Sequence, residues 1–192
     1  FQEGKRELLL ILLISLHTKN SKFFIISFLL LSIFFRAPQS KLNDNKFEII
    51  SPAYGKINSI EKLNIGTKIN ILLDVSDVHV QYVPYSGNVK DIKYVNGNFN
   101  PFFLLNTEKT NNNERMYTVI STKIGDITII QYAGMIARRI VNNLKINDEL
   151  KKGEIFGMIK FSSRVDIIIP SSFRLNVKEG QNVKGGITPL TK

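Results

Sequence analysis

The chain of 192 residues carries 26 Lys and Arg against 16 Asp and Glu, a formal net charge of +10, and no cysteine. That length suits one domain with a real core, and the missing thiols exclude a disulfide framework or a thiolate metal site. Two histidines, His17 and His79, are too few for a histidine-rich metal centre, so no metal is expected.

The positive balance favours an anionic partner. No helix-turn-helix, zinc-finger or RNA-binding signature is present, so an acidic lipid surface is expected and nucleic acid is not.

Residues 8–14 read LLLILLI, and residues 23–35 are apolar apart from Ser27 and Ser32. A polar break, His17-Thr18-Lys19-Asn20-Ser21-Lys22, separates the two runs. A helix over residues 23–35 rises about 20 Å, short of the hydrocarbon core of about 30 Å. Neither run spans a bilayer alone. A signal peptide would end in a small-residue cleavage site, whereas this stretch ends in Phe34-Phe35-Arg36-Ala37-Pro38. Residues 1–40 are therefore expected to form a membrane-associating apolar hairpin, anchored by Lys5, Arg6, Lys19, Lys22 and Arg36. A hairpin buried in the core is the alternative.

From residue 41 to 192 the pattern is that of one β-rich domain. Ile69–Leu73, Val89–Val95, Tyr117–Ser121, Ile127–Tyr132, Met158–Phe161, Val165–Ile169 and Phe173–Val177 are short runs of β-branched and aromatic residues between turn formers. They predict an antiparallel sheet in a compact mainly β (α+β) body. Two helices are expected outside the N-terminus, at Ala137–Leu144 and Asn147–Lys151. The turn within Val177–Gly185 is of a lipoyl-like or barrel type, common and structural in most proteins that carry it.

Few residues suggest chemistry unaided. No Gly-x-Ser-x-Gly elbow and no phosphate-cradling glycine loop occur. His79 is the one histidine outside the apolar segment, with Asp77 two residues before it. It is either a hydrogen-bonded structural residue or an acid/base, since imidazole titrates near neutrality. The stretch Phe161-Ser162-Ser163-Arg164-Val165-Asp166, between Gly157-Met158-Ile159-Lys160 and Ile167-Ile168-Ile169-Pro170, reads as a serine-bearing turn or bulge between two strands.

That stretch has companions in a fixed order. They are Ser51-Pro52-Ala53-Tyr54-Gly55, Asp77-Val78-His79 with Gly87 following, Gly97-Asn98-Phe99 and Asn113-Glu114-Arg115. Gln131-Tyr132-Ala133-Gly134, Ala137-Arg138-Arg139-Ile140-Val141 and Gly153-Glu154-Ile155-Phe156-Gly157 come after them. Together they resemble the phosphatidylserine decarboxylases, in their short bacterial and archaeal form, from about Gly4 to Gly185.

The resemblance implies a β-sandwich or barrel-like body and a proenzyme that cleaves itself between Ser162 and Ser163. Ser163 would become a pyruvoyl group, the self-derived cofactor, which forms a Schiff base with phosphatidylserine and serves as electron sink for decarboxylation to phosphatidylethanolamine. His79 would be the proton donor or base, with Asp77, Arg164, Asp166 and Tyr54 supporting. The expected partners are the lipid substrate, an anionic membrane surface and the chain's own second fragment in a heterodimer, with a homo-oligomer as a further option. The expected location is the cytoplasmic face of a bacterial inner membrane.

The chain departs from the family pattern at three places. Tyr54 replaces an aspartate, Gln81-Tyr82 replaces an Asn-Arg pair, and Ser162 replaces the glycine before the cleaved bond. These departures touch maturation more than fold, and they support the alternative of an uncleaved, non-catalytic homologue that binds lipid. A lipoyl-like carrier is a weaker third option, because the turn lacks the expected exposed lysine.

Overall fold

The computed structural model describes residues 5–17, 21–40, 48–102, 110–134, 139–160 and 163–192. Two short helices, α1 (Lys5–His17) and α2 (Ser21–Phe34), pack against each other. Neither is long and apolar enough to cross a membrane. Leu9, Leu10, Leu13, Ile26, Leu29, Leu30 and Ile33 all face outward, an apolar surface that solvent water does not favour.

The body is built of strands β1 (Gly55–Leu63), β2 (Gly66–Leu73), β3 (Val80–Tyr82), β4 (Gly87–Val95), β5 (Arg115–Thr122), β6 (Gly125–Tyr132), β7 (Ile140–Asn142), β8 (Glu149–Leu150), β9 (Ile155–Ile159), β10 (Ser163–Ile169) and β11 (Asn182–Val183). Eight form one antiparallel sheet in the order β11-β1-β2-β10-β6-β5-β4-β8. The other three form a small antiparallel sheet, β3-β9-β7. The expectation of a mainly β body with an apolar helical N-terminus holds at this level.

Alternation decides which face of the large sheet is core. Val165, Ile167 and Ile169 of β10 point the same way as Ile69, Ile71 and Leu73 of β2 and Ile127 and Ile129 of β6. Ser163 and Gln131 share the parity of these residues, so the core face turns polar at one end, where the small sheet covers it. Arg164, Asp166 and Ile168 point to the opposite face with Leu72, Ile130 and Tyr132.

Several element boundaries differ from the expectation. Ala137, Leu144 and the two apolar residues between them have helical spacing, yet Ile140–Asn142 is a strand pairing with β9, Ile140 opposite Ile159. The Asn142 side chain explains the outcome: its Nδ2 donates to Thr118 Oγ1 and Gln131 Oε1, and its Oδ1 accepts from the Leu144 amide. Tertiary partners outweigh local period there; residues 135–138 lie outside the described residues.

The second expected helix, Asn147–Lys151, is a turn followed by β8. Asn147 adopts φ 73°, and Asp148 Oδ2 accepts from the Lys145 amide. Phe173–Val177 makes no strand, only the bridge of Leu175 with Thr191. Phe161, the expected end of β9, and Ser162, the residue expected before the cleaved bond, lie outside the described residues.

Candidate active site

Two connections run between the two sheets. One leaves β2 at Leu73, passes through residues 74–79 and enters β3 at Val80. The other leaves β9 at Ile159 and enters β10 at Ser163. They are tied at both ends. Ser163 pairs with Leu73 in the large sheet, and the Ile159 amide donates to the His79 carbonyl at 3.2 Å beside the small one. His79 and Ser163 therefore belong to one closed ring of chain.

Both are fully buried, and both hold an atom with nothing to bond. Among the described residues only Asn70, His79 and Ser163 have a buried side-chain nitrogen or oxygen without a hydrogen-bond partner: both amide atoms of Asn70, Nε2 of His79 and Oγ of Ser163. An orphaned polar group in a core costs about 1–3 kcal/mol. Two of them, one a hydroxyl and one an imidazole nitrogen, lie on the same ring of chain, which makes this ring the candidate site.

The histidine's orientation follows from its loop. Asp77 Oδ2 accepts from the Asp74 amide at 2.8 Å and the Asp77 amide donates to the Asp74 carbonyl, which makes a tight turn. The Asp77 carbonyl then lies 2.8 Å from His79 Nδ1. A carbonyl only accepts, so Nδ1 carries the proton and Nε2 presents its lone pair. Asp77 thus acts on His79 through its backbone, and it lies in a turn rather than on the face of a strand. Burial pushes the imidazole pKa below its ordinary value; the Asp77 carbonyl and carboxylate only partly oppose this. His79 is neutral at pH 7.

Beneath it lies an amide relay absent from the sequence reading. Gln81 Nε2 donates to the His79 carbonyl at 2.7 Å, and Gln131 Nε2 donates to Gln81 Oε1 at 2.9 Å. Gln131 belongs to the large sheet and Gln81 to the small one, so the relay fixes the two sheets to each other at the site. In the sequence Gln81 stands out only as a departure from a motif. Its position two residues after His79 was the available signal, but a distant partner cannot be read from spacing.

Arg164 and Asp166 lie on the other face of β10 from Ser163. Arg164 Nε and Nη2 grip Asp166 at 2.8 and 2.7 Å, Nη1 reaches Thr110 at 3.2 Å, Nη2 also reaches Asn111 at 2.8 Å, and the guanidinium lies 4.1 Å from the Tyr132 ring centroid. This pair locks the strand that begins at Ser163. Tyr54 packs by Tyr82, ring centroids 6.2 Å apart, in the cluster that contains Phe34 and Val78. Burial raises its phenol pKa, so it brings no negative charge there.

A sequence profile of the phosphatidylserine decarboxylase family matches residues 28–191. The chain belongs to this family of pyruvoyl-dependent carboxy-lyases. It is 41% identical over 172 residues to the phosphatidylserine decarboxylase proenzyme of Wolbachia pipientis wMel, covering 83% of this chain and 74% of that protein. The proenzyme of Chlorobaculum tepidum is 38% identical over 172 residues, 86% of this chain and 79% of that one. That of Streptomyces griseus is 36% identical over 160 residues, 83% and 72% respectively. Family members are membrane-associated proenzymes, in keeping with the exposed apolar face of α1 and α2.

Proposed function

We propose that Ser163 is the pyruvoyl precursor, and His79 the proton-transfer residue, of a proenzyme that decarboxylates phosphatidylserine to phosphatidylethanolamine. The observation that carries this reading is the pair of buried, unpartnered atoms, Ser163 Oγ and His79 Nε2, on one ring of chain in a member of this family.

Maturation is chemistry of the chain itself. Ser163 Oγ adds to the carbonyl carbon of residue 162, the 162–163 peptide C–N bond breaks, and an ester replaces it while the nitrogen of residue 163 becomes an amine. Elimination releases residue 162 as a carboxylate and leaves a dehydroalanine. Water then displaces ammonia to give the ketone. The site suits that group: a small ketone at 163 fits the space of the serine it replaces and removes a hydroxyl that has no partner.

A pyruvoyl group at position 163 supplies an electron sink for loss of carbon dioxide from an amine-bearing substrate. The rest is done by side chains. His79, neutral with its proton on Nδ1, offers Nε2 to take a proton and return it to the substrate carbon. The Asp77 carbonyl holds the ring, and the surrounding burial excludes water from Nε2. Asp77 supports through the turn, and Arg164 with Asp166 through β10. The basic chain and its apolar helices seat the domain of residues 41–192 on an anionic membrane, residues 1–40 serving as the anchor. The cytoplasmic face of a bacterial inner membrane is the setting this favours. A barrel-like body and a heterodimer of the two fragments complete the reading.

Denaturing mass spectrometry of the purified full chain tests it. Two fragments, 1–162 and 163–192, the second blocked to Edman sequencing, together with carbon dioxide release from phosphatidylserine vesicles, are expected. One intact chain without activity would refute it and favour a lipid-binding homologue.

A further inference from the structure

The described side chains of α2 divide sharply. Ile33, Leu30 and Leu29 are 58%, 64% and 55% exposed, whereas Phe34 is 5% exposed and is the only one of them that is buried. Its ring lies against the His79 imidazole, centroids 4.5 Å apart at 39°. The next two residues extend the contact. Phe35 packs edge-on against Phe34 at 5.2 Å and receives the Lys160 ammonium 5.4 Å from its centroid, and Lys160 belongs to the connection that leads to Ser163. Arg36 Nη1 donates to the Ile33 carbonyl and Nη2 to the Ser76 carbonyl, both at 2.7 Å, so it joins the end of α2 to the loop that carries His79. Three consecutive residues thus touch both connections that form the site.

We propose that the end of α2 is part of the catalytic apparatus, with Phe34 and Arg36 as positioning residues that clamp the His79 ring and its loop and keep Nε2 dry. This rests on the assignment of His79 above and deepens it. The Asp77 carbonyl fixes one edge of the imidazole and leaves the ring's flat face open; Phe34 covers that face. Without it water reaches the ring, and the protonated form regains its hydration. The titratable groups on the elements around His79 are Asp74 and Asp77 on its own loop, Arg36 at the end of α2, Lys160 on the β9–β10 connection, and Tyr54 and Tyr82 in the adjoining cluster. Only Asp77 and Arg36 act on it electrostatically, with opposite signs.

The test is a nitrogen-15 titration of labelled histidine in the full chain, in anionic nanodiscs, in a His17→Gln background that leaves His79 alone. Phe34→Ala should move the His79 titration upward toward its ordinary value of about 6.5 and blur the Nδ1–H tautomer. Phe34→Leu keeps an apolar side chain but loses the flat ring, and should give a smaller shift in the same direction. An unchanged titration in folded Phe34→Ala, or in Phe34→Leu if the alanine variant does not fold, overturns the proposal. The same shift is expected in the acid limb of kcat/KM on phosphatidylserine vesicles. If the wild-type chain shows no decarboxylation, the functional reading fails, while the titration still decides the role of Phe34.

Discussion

Arg164 and Asp166, two residues apart on β10, are joined by two parallel N–H···O bonds of 2.8 and 2.7 Å with both side chains out of solvent. A buried pair of this kind adds little net stability over an apolar substitute, but breaking one side leaves the other charge stranded at a cost of about 3–5 kcal/mol. Asp166→Ala should therefore lower urea-unfolding stability by that order in the Ser163→Ala background, where cleavage does not interfere. The double variant Arg164→Met, Asp166→Leu should lose markedly less. Equal losses would show that the pair is not what locks the strand.

His79 makes stability depend on pH in a defined direction. Its folded pKa lies below the unfolded value of about 6.5, so the unfolded chain binds the extra proton first. Stability is full above that value and declines as pH falls through it toward the folded pKa. Between pH 7 and 5.5 wild type should lose stability, and His79→Gln should lose less. Parallel curves would refute burial as the cause.

His79→Ala should leave chain cleavage largely intact while abolishing decarboxylation, because proton return to carbon comes after ester formation. Gel analysis of fragments beside a carbon dioxide assay separates the two steps. An uncleaved His79→Ala chain would move the histidine into maturation.

Ser163→Ala should give one uncleaved, inactive chain. Ser162→Gly should speed cleavage, since glycine reaches backbone angles that cost serine about 1 kcal/mol or more. Tyr54→Asp should also speed it, by placing a carboxylate where burial now keeps a neutral phenol. Cleavage followed by mass spectrometry over time decides; rates unchanged by both reversions would mean that neither departure slows maturation.

Replacing Leu29, Leu30 and Ile33 with serine should weaken binding to anionic vesicles by at least tenfold, since each apolar side chain withdrawn from water contributes about 1.5–3 kcal/mol. These three point outward from the body, so His79 should keep its titration. Undiminished flotation with vesicles would remove α2 from the anchor. Deleting residues 1–36 would be a poorer test, because it also removes Phe34 from His79.

The strands of the large sheet were legible where one face is dry. β10, β6 and β2 show β-branched residues at alternate positions, and these lie in the core. β1 carries no clear strand signal, because its register shifts between Ile57 and Ser59, which moves the apolar phase from Ile57 to Ile60 and breaks the alternation. β7 was read as a helix because three residues are too few to declare a period. Of the candidate site, Ser163 and His79 stand out in the sequence through motif order. Phe34 was not: within an apolar run every phenylalanine looks like anchor, and only tertiary docking singles one out. Gln131 was visible as a motif member, but its bond to Gln81 was not, since amide pairing leaves no local trace.

β10 runs between β2 and β6, bonded along both edges, and the residues after it return to form β11 at the far rim of the same sheet. The proposed cut before Ser163 would turn this central strand into the head of a separate peptide, residues 163–192, that cannot be slotted into a finished sheet from outside. The architecture must be completed while the chain is still whole. Before the cut, folding is a first-order event that can be repeated; afterwards recovery requires a bimolecular encounter between two pieces, neither of which holds the middle of the sheet alone. The working lifetime of a chain so cleaved would then be set by how slowly it first comes apart, a rate rather than an equilibrium.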